Sequence, residues 1–190
     1  MNNYEYIIAS LPSLVRGAVI DTDATLAFIR GQLSSRDAST LDLVLRAYAP
    51  EGPDAEFYTE ALGSRSSFVR GYFKFDLGVR NTKAGYLNRA LGRDPDKDTV
   101  CLGEEEFEQK ARVEEILSGT DILAREHALD DLMWEQAEEL TALRVFDLDV
   151  VLSFVVRLMI ADRWMRLDEA SGREMLRTLV DELRNSKNKI

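Results

Sequence analysis

One histidine and one cysteine set the limits of the chemistry available to this chain of 190 residues. A lone His127 excludes a multi-histidine metal centre, and it excludes the two Glu-x-x-His pairs of a di-metal bundle. A Ser-His-Asp arrangement would have to use His127, which sits in the charged helical run LAREHALDDL and reads as a partly exposed helix residue. A lone Cys101 excludes an intrachain disulfide and a cysteine-based metal site, and a single thiol fits a reducing compartment. Glu104, Glu105 and Glu106, like Asp130 and Asp131, lack the Asp-x-Asp-x-Asp-Gly spacing of a calcium loop. The first cluster reads as a helix start favoured by the dipole and the second as a solvated face. Neither a Gly-x-Gly-x-x-Gly nor a Walker sequence is present. No catalytic residue, cofactor or metal is expected.

What stands out instead is a pair of amides. In KFDLGVRNTKAGYLNRALGRD, residues 74–94, the side chains of Leu77, Asn81, Ala84, Asn88 and Leu91 share one helix face, since positions three and four apart are neighbours. Asparagine is a mediocre helix former because its amide competes for backbone hydrogen bonds. Its place on a packed stripe therefore asks for partners. Asn81 is expected to be at least half buried, its amide bonded to an adjacent helix, and Asn88 is expected to help fix register in the same way. Asp76 and Arg80 complete the register set as an i, i+4 pair.

Phe68, Tyr72, Phe75, Val79 and Tyr86 form an aromatic stripe on the same helix. Gly78 and Gly85 cost about 1 kcal/mol each against alanine, tolerable where another backbone must pass closely. Near the helix end, Arg89 and Arg93 are expected to be exposed, favourable to the dipole and available to an acidic partner surface. Arg157 and Arg163 are the further candidates for partner binding.

These residues need elements to hold them. The four prolines, at positions 12, 50, 53 and 95, mark boundaries. Residues 4–11 read as a short strand or a first helical turn. Helices are predicted over 21–33, from Ser34 to Pro50, and over 54–62. A long one runs from Ser66 to a Gly92 C-cap. Residues 93–103 (RDPDKDTVCLG) read as a linker, and helices follow over 104–117, 121–143, 147–167 and 171–183. The helix over 147–167 is apolar nearly all round and is expected to be central. Phe75-Asp76-Leu77 and Phe146-Asp147-Leu148 echo one another, each read as introducing a long helix, which raises a relation between the halves. The fold class is all-α: two packed multi-helix lobes, 1–95 and 96–190, close to one continuous unit.

Composition restricts the partners. The net charge of −10 and pI of about 4.7 disfavour a nucleic-acid binder, which needs a basic face to replace counterions on phosphates. The most apolar run, residues 150–161, is 12 residues long and contains Arg157, short of the roughly 20 apolar residues that span a bilayer. The start, MNNYEY, lacks the layout of a signal peptide.

The stretch YFKFDLGVRNTKAGYLNRALGRD (72–94) resembles the Asp-x-x-x-x-Asn helix signature, with its Arg-bearing turn and closing glycine, of the C (or d) subunit of rotary V/A-type ATPases. Asp76, Asn81, Arg89 and Gly92 take those places, with Thr82 where an isoleucine is usual. NYEYIIASLP (3–12) and residues 125–174 resemble short, C-subunit-like bacterial proteins found with V-type ATPase components. The resemblance implies a helical, non-catalytic central-stalk subunit that couples the membrane rotor ring to the shaft of a proton- or sodium-translocating ATPase. It implies rotor-ring and central-shaft subunits as partners, no nucleic acid, and a cytoplasmic place peripheral to the inner membrane through protein contacts alone. The subunits of that family have three similar helical lobes, and 190 residues suggest about two. The alternatives are a stand-alone helical adaptor with unrelated protein partners and a small-molecule-binding or enzymatic helical domain walled by the aromatic stripe.

Overall fold

A computed structural model describes residues 4–14, 20–102 and 107–166 of the chain. The described residues are helical throughout their regular structure, in the order α1 (Glu5–Ser10), α2 (Thr22–Gln32), α3 (Ser35–Arg46), α4 (Ala55–Leu62), α5 (Ser67–Ala90), α6 (Lys110–Leu117), α7 (Ile122–Glu139) and α8 (Leu148–Arg166). The all-α class is as the periodicity predicts, and residues 4–11 resolve to a helical turn rather than a strand. No helix of the described residues is long and apolar enough to cross a membrane. The helix expected over 171–183 lies outside them.

Local chemistry starts these helices where the sequence places the caps. Asp21, Ser34, Asp54, Ser66 and Asp121 each accept a backbone N–H from the first turn of α2, α3, α4, α5 and α7. The end of α5 is a Schellman turn, in which Gly92 at φ +66° lets the Arg93 N–H reach the Asn88 carbonyl at 2.8 Å and the Gly92 N–H reach that of Arg89 at 3.1 Å.

The core forms around α8. Val151, Leu152, Val155, Val156 and Leu158 are buried, and α8 packs on α1, α2, α3, α5 and α7. The helices before and after residue 95 therefore share one core. From α5, Phe68, Tyr72 and Phe73 enter it, with Phe73 edge-on to Phe57 of α4 at 4.9 Å between centroids.

Two boundaries differ from expectation. α6 begins at Lys110, because residues 107–109 turn to lay Phe107 against α5. α7 ends at Glu139 rather than near 143, where Thr141 bonds the Ala137 carbonyl at 3.1 Å and the Arg144 N–H bonds the Thr141 carbonyl at 2.9 Å, turning the chain toward α8. The tripeptide echo also fails. Asp147 accepts the Val150 N–H at the start of α8, whereas Asp76 lies in the middle of α5.

Candidate functional site

The amides of α5 explain the segment that follows it. Asn81 donates from Nδ2 to the Val100 carbonyl and accepts the Val100 N–H at Oδ1, both at 2.9 Å. One amide thus satisfies both backbone groups of one residue, as a strand neighbour would. The expected partner was an adjacent helix. The actual partner is the linker: residues 93–102 double back along α5 as a strap, with Pro95 at Gly85 and the backbone of Val100 at Asn81. Asn88 is 4% exposed and its Nδ2 lies 3.4 Å from the Asp98 carboxylate, so it too faces the strap.

The glycines give that strap its track. Gly85 faces the Pro95 carbonyl, where an added Cβ would make ordinary contact at 3.5 Å, and Gly78 faces the Phe107 ring, with which an added Cβ would clash. Gly78→Ala is expected to destabilise the protein although alanine is the better helix former by about 1 kcal/mol, since overpacking costs about 1–3 kcal/mol. In a Phe107→Ala background the same change should become stabilising. Thermal melts of the four proteins check this reversal of sign.

Asp76 is held from two sides. Its Oδ2 accepts Tyr58 Oη of α4 at 2.5 Å and Arg80 Nε at 2.8 Å. Burial, and then the Asp76 charge, push the Tyr58 phenol far above its ordinary range, so it stays a donor. Burial does the same for Tyr48 and Tyr72, whose hydroxyls meet at 3.4 Å. Three of the stripe residues proposed as a pocket wall, Phe68, Tyr72 and Val79, are buried in the core, and Phe75 is packed edge-on against Phe107.

The four candidate arginines have different surroundings. Arg89 pairs with Glu114 of α6. Arg157 pairs with Glu138 at 2.7 Å and lies over the Trp134 ring. Arg163 bridges Glu126 at 2.9 Å and Asp130 at 3.2 Å on α7. Arg93 alone of the four is exposed with no side-chain partner among the described residues.

The Arg163 network joins three helices. Lys83 of α5 donates to Glu126 at 2.6 Å, and Trp164 Nε1 donates to Asp130 at 2.7 Å while its ring stacks on His127. Burial pushes the Glu126 carboxyl up, but the bonds and charges of Lys83 and Arg163 outweigh it and hold the group below its ordinary range. For Asp130 burial wins and the carboxyl is raised, despite Arg163 and Trp164. The two oppose one another in acid. Glu126 contributes stability that is present above its unfolded value and lost as pH falls below about 5, whereas protonation of Asp130 relieves a buried charge and favours the fold. Glu126→Gln should therefore flatten the acid-side fall of the melting temperature, and Asp130→Asn should steepen it. Thermal melts from pH 7 to pH 3 check both.

Two buried carboxylates were not found by sequence reasoning. Asp149, in the first turn of α8, accepts Ser66 Oγ at 2.7 Å, Ser67 Oγ at 2.9 Å and the Phe68 N–H at 3.3 Å, and pairs with Arg144 at 3.1 Å. It caps the start of α5 from another helix. At the far end of α8, Asp162 accepts Thr22 Oγ1 of α2 at 2.9 Å and Arg166 Nε at 2.7 Å. The only hint was an acidic residue on each of two otherwise buried faces of an apolar helix.

Residues 101–187 match the model of a family described as "Protein of unknown function (DUF2764)". No curated protein and no solved structure matches the chain.

Proposed function

We propose that this chain is a non-catalytic coupling subunit of a V/A-type rotary ATPase, seated between the membrane rotor ring and the central shaft. One observation carries the reading: each residue of the family-like signature helps to hold α5 in place. Asp76 is bound by Tyr58 and Arg80, Asn81 by Val100, Arg89 by Glu114, and Gly92 closes the helix. A part that passes torque needs a helix that neither slides nor bends. Amides and ion pairs that fix register serve that need at some cost in stability. Thr82, which departs from the family pattern, is buried and bonds back to the Gly78 carbonyl at 2.7 Å, so it is accommodated within α5 itself. Of the four candidate arginines, Arg93 is the one with no side-chain partner among the described residues, and at the exposed turn after α5 it is placed to meet an acidic partner.

The test is affinity capture of the tagged chain from detergent-solubilised native membranes. Ring and shaft subunits should co-purify, and Arg93→Glu should reduce their yield without lowering the melting temperature. Their absence from the captured material would favour the stand-alone adaptor.

A further inference from the structure

The strap is held to the protein differently from the helices on either side of it. None of the buried core residues comes from 93–102, and Val100 is the one apolar side chain of that segment packed against the core, partly buried. Residues 93–98, 101 and 102 are exposed. The helices that the strap joins hold together without it, since α5 packs directly on α6 and Arg89 pairs with Glu114.

Its hydrogen bonds to α5 come from two asparagines, two turns or about 10.5 Å apart along the helix. Asn81 holds both backbone groups of Val100 at 2.9 Å. Asn88 accepts the Arg93 N–H at its carbonyl, at 2.8 Å, and donates from Nδ2 to Asp98 at 3.4 Å, so the start of the strap and its middle are tied to one residue. Between these anchors the strap is bonded to itself. The Asp96 N–H reaches the Asp94 carboxylate at 3.1 Å, the Lys97 N–H the Asp94 carbonyl at 3.2 Å, and the Thr99 hydroxyl the Asp96 carbonyl at 2.8 Å. Those internal bonds need nothing from α5 and travel with the segment when it leaves. Few apolar contacts, an exposed backbone and polar anchors are the marks of a unit that opens locally, far below the cost of global unfolding.

We propose that residues 94–102 are a latch that opens and closes over α5 as one unit while the bundle stays folded, with the side chains of Asn81 and Asn88 as its clasps. Closed, it lies over Gly85 and Asn88, both buried; open, it bares this amide-bearing stretch of α5. The proposal stands apart from the rotary ATPase reading and uses none of its partners. Hydrogen exchange of the purified full-length protein, followed amide by amide by NMR in rising sub-denaturing urea, tests it. The Val100 amide should exchange roughly a hundredfold faster, relative to its unfolded-chain rate, than the Leu152 and Val155 amides of α8. Its protection should be indifferent to urea, while theirs falls because their exchange exposes the core. Asp98→Ala leaves Asn81 and Val100 in place, yet it should speed Val100 exchange by a factor of about three or more, because both clasps act on one unit. A Val100 amide with the protection and urea dependence of the α8 amides would overturn the latch, since the strap would then open only with the bundle. So would an unprotected Val100 amide, which would mean that the strap does not close, or a smaller effect of Asp98→Ala.

Discussion

Asp149→Ala is expected to cost about 3 kcal/mol and to lower the melting temperature by on the order of 10 °C. Asp149 is 6% exposed and gathers two hydroxyls, one backbone N–H and the Arg144 guanidinium. Its removal strands donors at the N-terminus of α5, where the helix dipole favours a negative charge. The estimate sits at the low end of the range for a broken buried pair because Arg144 and Ser67 are partly open to water and can be rehydrated. Asp149→Asn keeps an acceptor and should lose roughly half as much. A double-mutant cycle with Ser67→Ala should show coupling of about 1 kcal/mol, since the two side chains share a hydrogen bond. A melt of Asp149→Ala within ~2 °C of the parent would show that the cap is not a strut between α5 and α8.

The second large effect is at Asn81. Asn81→Leu keeps the size of the side chain and leaves both the Val100 N–H and C=O without their partner, at about 1 kcal/mol each where water can partly reach them. A total near 2 kcal/mol corresponds to a drop of about 4–8 °C in melting temperature for a chain of this size. Asn81→Asp should be worse. It retains an acceptor for the Val100 N–H but sets a carboxylate against the Val100 carbonyl and adds a charge to desolvate. Hydrogen exchange gives a sharper reading than the melt, because the Val100 amide should lose protection in Asn81→Leu before the α8 amides do.

The sequence made the helices legible because their punctuation is local. Ser66 at the start of α5 and Gly92 just past its end are read from side-chain and backbone chemistry within a few residues, and the apolar character of α8 follows from its own composition. The amides at 81 and 88 could be flagged for the same reason, as costly choices on a packed face. Their partners could not be named. Val100 and Asp98 meet α5 only because the strap runs back along it, and chain reversal after a linker has no signature in the linker's own residues. Asp149 was hidden for a related reason. Its hydrogen bonds span more than eighty positions, and one acid in a helix start reads as an ordinary dipole contact until the neighbouring helix is in place. The candidate arginines failed to separate in sequence because pairing with Glu114, Glu138 or Glu126 is decided by which helices lie side by side.

The most direct measurement starts from the other partner. A rotary ATPase purified from native membranes through a tag on a rotor-ring subunit, then quantified subunit by subunit by mass spectrometry, should contain this chain in fixed ratio to the shaft subunits. That ratio should fall in cells carrying Arg93→Glu. A complex that retains its ring and shaft and contains none of this chain would contradict the account.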